Sequence, residues 1–208
     1  MPSVAPRYFV QVYNSASSLP QGVWAIWDAL PRDSNIMYPH ALRMKAREAA
    51  GKQSHGVWIV CTTPSLTTSA SIDFVLACTE GPLGNYPIFI FTPIAPTSLH
   101  YDHLYPRLEA IADALYTAVR VERVFSVFAL EAVTTAFASI WTTKTGISLD
   151  KEPAYYAAKG TYCTRETFIP ARRQTLLPGI SYDMRPARRD DAKNVADLCY
   201  GFALKSVC

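Results

Sequence analysis

The residue types best suited to chemistry gather in one short stretch, where His100, Asp102 and His103 lie close together. A neutral imidazole can accept a proton from an amine, so His103 is a candidate catalytic base. Two histidines and a carboxylate are also metal-ligand types, but no third distant ligand accompanies them, and we predict no metal site. The alternative interpretation is ordinary polarity at the beginning of a helix that carries Pro106.

Other candidate residues are spread along the chain. Glu131 begins an apolar helical pattern, where it can act as a catalytic base or simply complement the helix dipole from the first turn. Tyr155 and Tyr156 fall in a predicted strand and can line a substrate pocket or pack within a sheet. Cys61 and Cys78 end strand patterns, and we interpret both as buried packing residues, because a nucleophilic thiol needs a lowered pKa and a nearby base.

The elements that must position these residues centre on a strand–helix–strand unit. Residues 88–91 are a short apolar run bounded by prolines, which predicts a buried strand. Apolar residues at helical spacing follow from Leu104, with Pro106 in the predicted first turn, and residues 124–130 predict a second strand. Such a crossover is right-handed and makes its two strands parallel. We therefore expect a ligand site after Phe91, in the loop before the helix.

The rest of the chain predicts further strands and helices around this unit. In chain order they are a strand at 7–13, helices at 18–30 and 39–50, strands at 56–62 and 72–79, a strand pair within 155–168, a short strand at 182–185 and a helix at 190–204. Ser18 and Gln21 have the spacing of a capping box, and Gly51 is suited to a helix C-terminus. The strands at 56–62 and 72–79 should form an antiparallel hairpin.

Composition is that of a globular protein, with 208 residues of which 50% are hydrophobic and 18% charged. The net charge of +3 arises from residues 165–193, where seven Lys or Arg face four acids. We interpret this basic segment as a solvated linker and predict no nucleic-acid partner, because aromatic residues do not interleave with the basic ones.

Cysteine usage and hydropathy bear on the cellular compartment. The five cysteines form no CxxC pair, which predicts neither a disulfide framework nor a zinc site and favours a reducing, cytoplasmic location. The first ten residues lack the apolar core of a signal peptide. The longest run of low charge, residues 124–141, is better explained by a strand and a buried helix than by a membrane span, so we predict no membrane partner.

The order of these elements resembles the GNAT fold of acetyl-CoA-dependent N-acetyltransferases. Residues 185–192 (RPARRDDA) are similar to the opening strand and helix of a GNAT domain, and residues 138–147 (ASIWTTKTGI) are similar to the penultimate segment of the family. The chain resembles the N-terminal part of fungal acetyltransferases with two GNAT-like halves. On that resemblance, residues 6–169 form a degenerate first domain, 170–179 a linker, and 180–208 the first strand and helix of a second, truncated domain.

The resemblance implies an α/β (α+β) fold of three layers, in which a mixed, twisted sheet carries helices on both faces. It implies acetyl-CoA as the cofactor and an amine or another small molecule as the acyl acceptor of the full-length family. The family binds the cofactor pyrophosphate on backbone N–H groups between the central strand and the next helix. That implication places Phe91, Thr92, Thr97 and Ser98 at the cofactor, and places Thr142 where the family often has a tyrosine that protonates the leaving thiolate.

Two departures from the family bear on activity. The cofactor segment, TPIAPTSLHYDHLYPRL, contains no glycine, and Pro93, Pro96 and Pro106 each lack an N–H group. The hydroxyl of Thr142 is a poor acid near neutral pH. Both departures predict that a cofactor site of the family type does not form in this chain.

Three hypotheses for function follow. The chain is the non-catalytic N-terminal module of an acyltransferase, a binding or dimerisation module without chemistry, or an active acyltransferase with an unorthodox cofactor loop. The missing glycines favour the first two. The predicted helix at 190–204 has Val195, Leu198, Cys199 and Phe202 on one face, which should pack against the first domain or join a second copy in a homodimer.

Overall fold

The chain divides into two compact units, Met1–Gly160 and Thr161–Cys208. The structure is a computed structural model that describes residues 8–52, 56–65, 70–81, 84–154, 163–169, 178–179 and 185–206, with the side chains of the last helix described through Gly201. The domain boundaries that the sequence suggests, after residue 169 and before residue 180, stay predictions.

The first unit contains a mixed sheet of six strands and four α-helices in its described part. The strands are β1 (Phe9–Tyr13), β2 (Gly56–Thr63), β3 (Ser71–Gly81), β4 (Gly84–Asn85), β5 (Ile88–Phe91) and β6 (Val127–Phe128). The helices are α1 (Gln21–Ala29), α2 (Met37–Ala49), α3 (Tyr101–Ala118) and α4 (Glu131–Thr145), with short 3₁₀ helices at Pro96–Ser98 and Val121–Arg123.

Strand order in the sheet is β1-β2-β3-β5-β6, with β4 paired to β3 at its end. Neighbouring strands are antiparallel except for the last pair, β5 and β6, which is parallel. The predicted hairpin of β2 and β3 and the predicted parallel crossover through α3 are both confirmed. In such a crossover, the carboxyl end of the first strand lies beside the N-terminus of the crossover helix.

Helices cover both faces of the sheet, because successive strand residues point to opposite sides. On one face Trp58 and Val75 pack with α1 and α2. On the other face Ile59 and Phe74 pack with α3 and α4. The expectation of a mixed sheet with helices on both faces is therefore confirmed.

The predicted capping box at α1 is wrong. The residue before the helix is Pro20, and no side chain caps the first turn. The Ser18 hydroxyl instead donates to the Ser15 carbonyl at 2.8 Å, so it is used within the preceding turn. Glu48 of α2 holds the same turn, since its carboxylate accepts the backbone N–H of Ser17 at 2.8 Å.

The bounds of the central unit also differ from prediction. Helix α3 begins at Tyr101, so Pro106 lies inside the helix rather than in its first turn. The predicted strand at 124–130 shrinks to two residues, because a 3₁₀ turn precedes it and α4 begins at Glu131. At the end of α2, Gly51 adopts a φ of 68°, as its predicted role at a helix C-terminus requires.

The second unit contains a helix, α5 (Ala192–Ser206), preceded by a 3₁₀ turn at Arg189–Asp191. The Asp191 carboxylate accepts two bonds from the Arg185 guanidinium, at 2.7 and 2.9 Å, and one from the Arg188 N–H at 2.7 Å. Residues 163–169 form a turn without strand structure, and Arg185 lies outside any strand, so these parts of the predicted strands are wrong. Residues 155–162 and 182–184, which carry the rest of those predictions, lie outside the described residues.

Candidate functional site

A buried pair of opposite charges lies at the carboxyl end of β5. Arg107 of α3 donates from Nε to Oδ2 of Asp73 on β3 at 2.8 Å, and the two side chains are only 4% and 6% exposed. Asp73 lies near the start of β3 among apolar residues, and Arg107 lies beside the apolar face of α3. The ion pair therefore joins the sheet to its crossover helix. An unpaired charge at this depth would be strongly unfavourable, which makes each residue dependent on the other.

Two threonines complete the hydrogen bonding of this pair. The Thr63 hydroxyl donates to Asp73 Oδ2 at 2.6 Å and accepts from Arg107 Nη2 at 3.0 Å. The Thr92 hydroxyl, just after β5, donates to the backbone carbonyl of Asp73 at 2.7 Å. The centre therefore links the loop end of the β2–β3 hairpin, the end of β5 and the start of α3 in one polar network.

His103 lies beside this network in the first turn of α3. Its backbone carbonyl accepts a bond from Arg107 Nη1 at 3.0 Å, and its ring lies 6.3 Å from that of Phe74. Its Nε2 atom is buried and makes no hydrogen bond within the described part of the chain. Burial lowers the pKa of His103, the Arg107 guanidinium lowers it further, and the Asp73 carboxylate opposes both. The lowered pKa favours the neutral imidazole, but its Nε2 atom is buried and cannot reach a ligand in solvent.

Cys61 lies on β2 within reach of the same charges. Burial raises the pKa of its thiol to about 12; the Asp73 carboxylate also raises it, and the Arg107 guanidinium opposes the rise. Burial likewise raises the pKa of Cys78. Neither thiol has the lowered pKa that a nucleophile needs, which agrees with their interpretation as packing residues.

The segment between β5 and α3 already uses its backbone donors internally. The N–H of Ile94 donates to the Thr92 hydroxyl at 3.2 Å, and the N–H of Ser98 donates to the Ala95 carbonyl at 2.8 Å. The N–H groups of Leu99 and His100 bond to carbonyls of the same segment, at 3.4 and 3.0 Å. Pro93 and Pro96 have no N–H to offer. These four N–H groups are therefore not free to bind a phosphate group.

The four residues placed at the cofactor by resemblance lie in two different environments. Phe91 is buried against Trp27 of α1, with ring centroids 6.4 Å apart, on the face opposite α3. Thr92 is buried and committed to Asp73. Thr97 and Ser98 lie exposed in the 3₁₀ turn. Phe91 and Thr92 thus serve packing and the polar network, while the other two face solvent.

Strand β5 extends two residues beyond its parallel partner. Ile88 and Phe89 pair with Val127 and Phe128, after which the β6 chain leaves the sheet and enters α4. Within the described residues, Ile90 and Phe91 have no strand on that side. In open α/β sheets, ligands bind outside the carboxyl ends of the strands, and this unpaired edge of β5 lies at such an end.

The remaining candidate residues do not lie together at the carboxyl end of β5. Glu131 is the exposed first residue of α4, which suits a carboxylate that complements the helix dipole. Thr142 lies half-buried on the same helix, roughly 16 Å further along its axis at 1.5 Å per residue. The structure therefore does not bring Glu131, Thr142 and His103 together as one catalytic group. Tyr155 and Tyr156 lie outside the described residues.

Sequence reasoning missed Asp73, Arg107 and Thr63. A signal for Asp73 was present, since a carboxylate within the apolar strand SIDFVLAC requires a buried partner. The partner itself could not be read from the pattern, because Arg107 is distant in the chain and belongs to another element.

No protein-family model, no curated protein and no solved structure matches the chain. Among the described residues, we find no helix with the length and apolar character to cross a bilayer, and no group of three or more His, Cys, Asp or Glu placed to hold a metal ion.

Proposed function

We propose that this chain is a non-catalytic module of an acetyl-CoA-dependent N-acyltransferase with a GNAT-like fold. The observation that carries this proposal is the internal bonding of the segment between β5 and α3. A pyrophosphate cradle of the family type needs free N–H groups in the loop that leads into the helix, whereas Ser98, Leu99 and His100 donate theirs to neighbouring carbonyls.

The architecture supports the family assignment. A strand, two helices, an antiparallel run of strands and a parallel crossover follow one another in the order that the resemblance implies. Among the described residues, β5 has no strand partner on the β6 side beyond Phe89, so its edge is available to an extended ligand, while the anion-binding loop of the family is lacking.

The polar residues around the carboxyl end of β5 support a structural rather than a catalytic role. Asp73 and Arg107 neutralise each other, and the Nε2 atom of His103 is turned into the protein. Thr142 offers only an alcohol as an acid. In this proposal the attack of an amine on the thioester takes place on another module, and this chain supplies packing or binding surface.

The test is calorimetric titration of acetyl-CoA and CoA into the purified 208-residue chain. We expect no saturable binding with a dissociation constant below about 1 mM, a limit that corresponds to roughly −4 kcal/mol. Micromolar binding would overturn the proposal in favour of an active enzyme with an unorthodox loop. His103→Ala would then be assayed for loss of amine acetylation, with His100→Ala, an exposed neighbour, as the control.

Dimerisation is the second candidate function, and the surface of α5 favours it. Val195 and Leu198, three residues apart on one face of the helix, are 47% and 74% exposed, which is unusual for large apolar side chains. A second copy that pairs these helices would cover them. Sedimentation analysis should then show a dimer that Leu198→Glu dissociates and Lys193→Ala preserves, whereas a monomer at high protein concentration would exclude this candidate.

A further inference from the structure

A small cavity opens at the end of the sheet opposite Asp73. It has a volume of about 170 Å³ and is lined by Gly56, Val57, Cys78, Glu80, Val119 and Arg123. Cys78 and Asp73 are separated by roughly 17 Å along β3, at 3.3 Å per residue. The cavity is therefore independent of the β5–α3 segment and of the function proposed for it.

The apolar wall of this cavity is formed by partly buried residues at the edge of the core. Val57 and Val119 pack against the cluster beneath α3 and α4 but are only half-buried, so each presents part of its side chain to the cavity. Cys78, at 4% exposure, is the most buried of the lining residues named here. These side chains suit a short aliphatic group rather than an ion.

Two opposite charges line the same cavity. Arg123 is held in place because Nη1 donates to the Tyr86 carbonyl at 2.9 Å and Nη2 to the Thr79 carbonyl at 2.5 Å. A guanidinium has five N–H donors, so hydrogens remain for a ligand. Glu80 is exposed and makes no ion pair within the described residues. Both charged residues line the same cavity as Cys78.

We propose that this cavity binds a small zwitterion of amino-acid size with a short aliphatic side chain. The ligand ammonium would pair with Glu80, its carboxylate would accept from Arg123, and its side chain would contact Val57 and Val119. The volume equals that of about five or six water molecules in the liquid, which suits a ligand of amino-acid size. A ligand with only one charge leaves the opposite wall charge uncompensated, which is the basis of selectivity.

The test uses three probes that share one aliphatic group. These are L-valine, isobutylamine, which lacks the carboxylate, and 3-methylbutanoate, which lacks the ammonium. Each is titrated into the full chain while methyl NMR signals of Val57 and Val119 are followed. We expect L-valine to shift these signals in a saturable way, and each single-charge analogue to bind at least about threefold more weakly, the effect of losing one solvent-open ion pair. Equal binding of an analogue, or no saturable shift with L-valine, would overturn the proposal.

Variants locate the site. Glu80→Gln keeps the shape and removes the charge, and should weaken L-valine binding about threefold to fivefold, the effect of one solvent-open ion pair. Glu109→Gln changes an exposed carboxylate on α3 outside the cavity and should leave affinity unchanged. Val119→Trp should fill the cavity and abolish the shifts at Val57. If Glu80→Gln binds like Glu109→Gln, the assigned ammonium site is wrong. Circular dichroism spectra confirm that each variant is folded.

Discussion

Asp73 of β3 and Arg107 of α3 form an ion pair of 2.8 Å in the interior of the first unit, where they join the sheet to its crossover helix. The pair is surrounded by the Thr63 hydroxyl and the His103 carbonyl, so its polar atoms are bonded rather than left bare. A pair of this kind fixes the position of α3 on the sheet, because moving the helix would separate two desolvated charges.

Breaking this pair should destabilise the protein strongly. Arg107→Met and Asp73→Asn each leave one buried charge without a partner, and each should lower the free energy of unfolding by about 3–5 kcal/mol. The double variant Asp73→Leu/Arg107→Met leaves no buried charge and should be more stable than either single variant. Urea unfolding followed by tryptophan fluorescence measures these differences.

Asp33→Asn is the matched control for that series. It removes a carboxylate that pairs with Arg32 at 3.4 Å on the surface, and should change stability by less than about 0.5 kcal/mol. Single variants at Asp73 and Arg107 that behave like this control would show that the pair is open to solvent.

His40 should make stability depend on pH. Its ring is nearly buried between α2 and the sheet, with Nε2 2.8 Å from the Thr79 hydroxyl, and burial together with Arg43 lowers its pKa. Below the unfolded value of 6.5 the unfolded chain takes up a proton that the folded chain resists. Stability should therefore be constant well above that pH and decrease as the pH falls through it; His103 contributes with the same sign.

The check is thermal unfolding at a series of pH values between roughly 5 and 8, the range in which histidine titrates. His40→Gln can still bond to Thr79 but cannot titrate, so it should flatten the decrease at low pH. His100→Gln, which alters an exposed histidine, should keep the wild-type profile. An unchanged profile in His40→Gln would assign the dependence to other groups.

Two glycines should respond in opposite directions to alanine. Gly146 ends α4 with a φ of 74°, where a Cβ atom is strained, so Gly146→Ala should cost about 1 kcal/mol. Gly22 has helical geometry in α1, and an added Cβ would meet Ile72 Cδ1 at an ordinary 3.6 Å, so Gly22→Ala should gain about 0.5 kcal/mol. Chemical denaturation compares them, and a stabilised Gly146→Ala would contradict the left-handed C-cap.

The buried and the exposed cysteines should react with a thiol-specific reagent at very different rates. Cys61 and Cys78 are buried with raised pKa values, whereas Cys163 and Cys199 are exposed. A thiol-specific reagent at neutral pH should label the exposed pair within minutes and Cys61 only after unfolding in urea. Peptide mass spectrometry identifies the labelled residues, and rapid labelling of Cys61 in the folded protein would refute its burial.

Local patterns predicted much of the first unit. The apolar stripe of α3 is buried at Leu104, Leu108, Ile111 and Leu115, because side chains three or four residues apart share one helix face. The hairpin and the parallel crossover followed from strand periodicity and the length of the connection. The first residues of the helices were predicted less well, since Ser18 bonds within its own turn and Pro106 lies inside α3.

The sequence by itself determined where the main helices and central strands of the first unit lie and how those strands run, because these depend on spacing between near neighbours. Only the tertiary structure decided which polar residues form the centre at the end of β5. Asp73 and Arg107 meet because β3 and α3 pack together, and the donors of the following segment are engaged because that segment turns upon itself. Contacts between distant elements depend on the packing of the whole core, and local periodicity does not predict that packing.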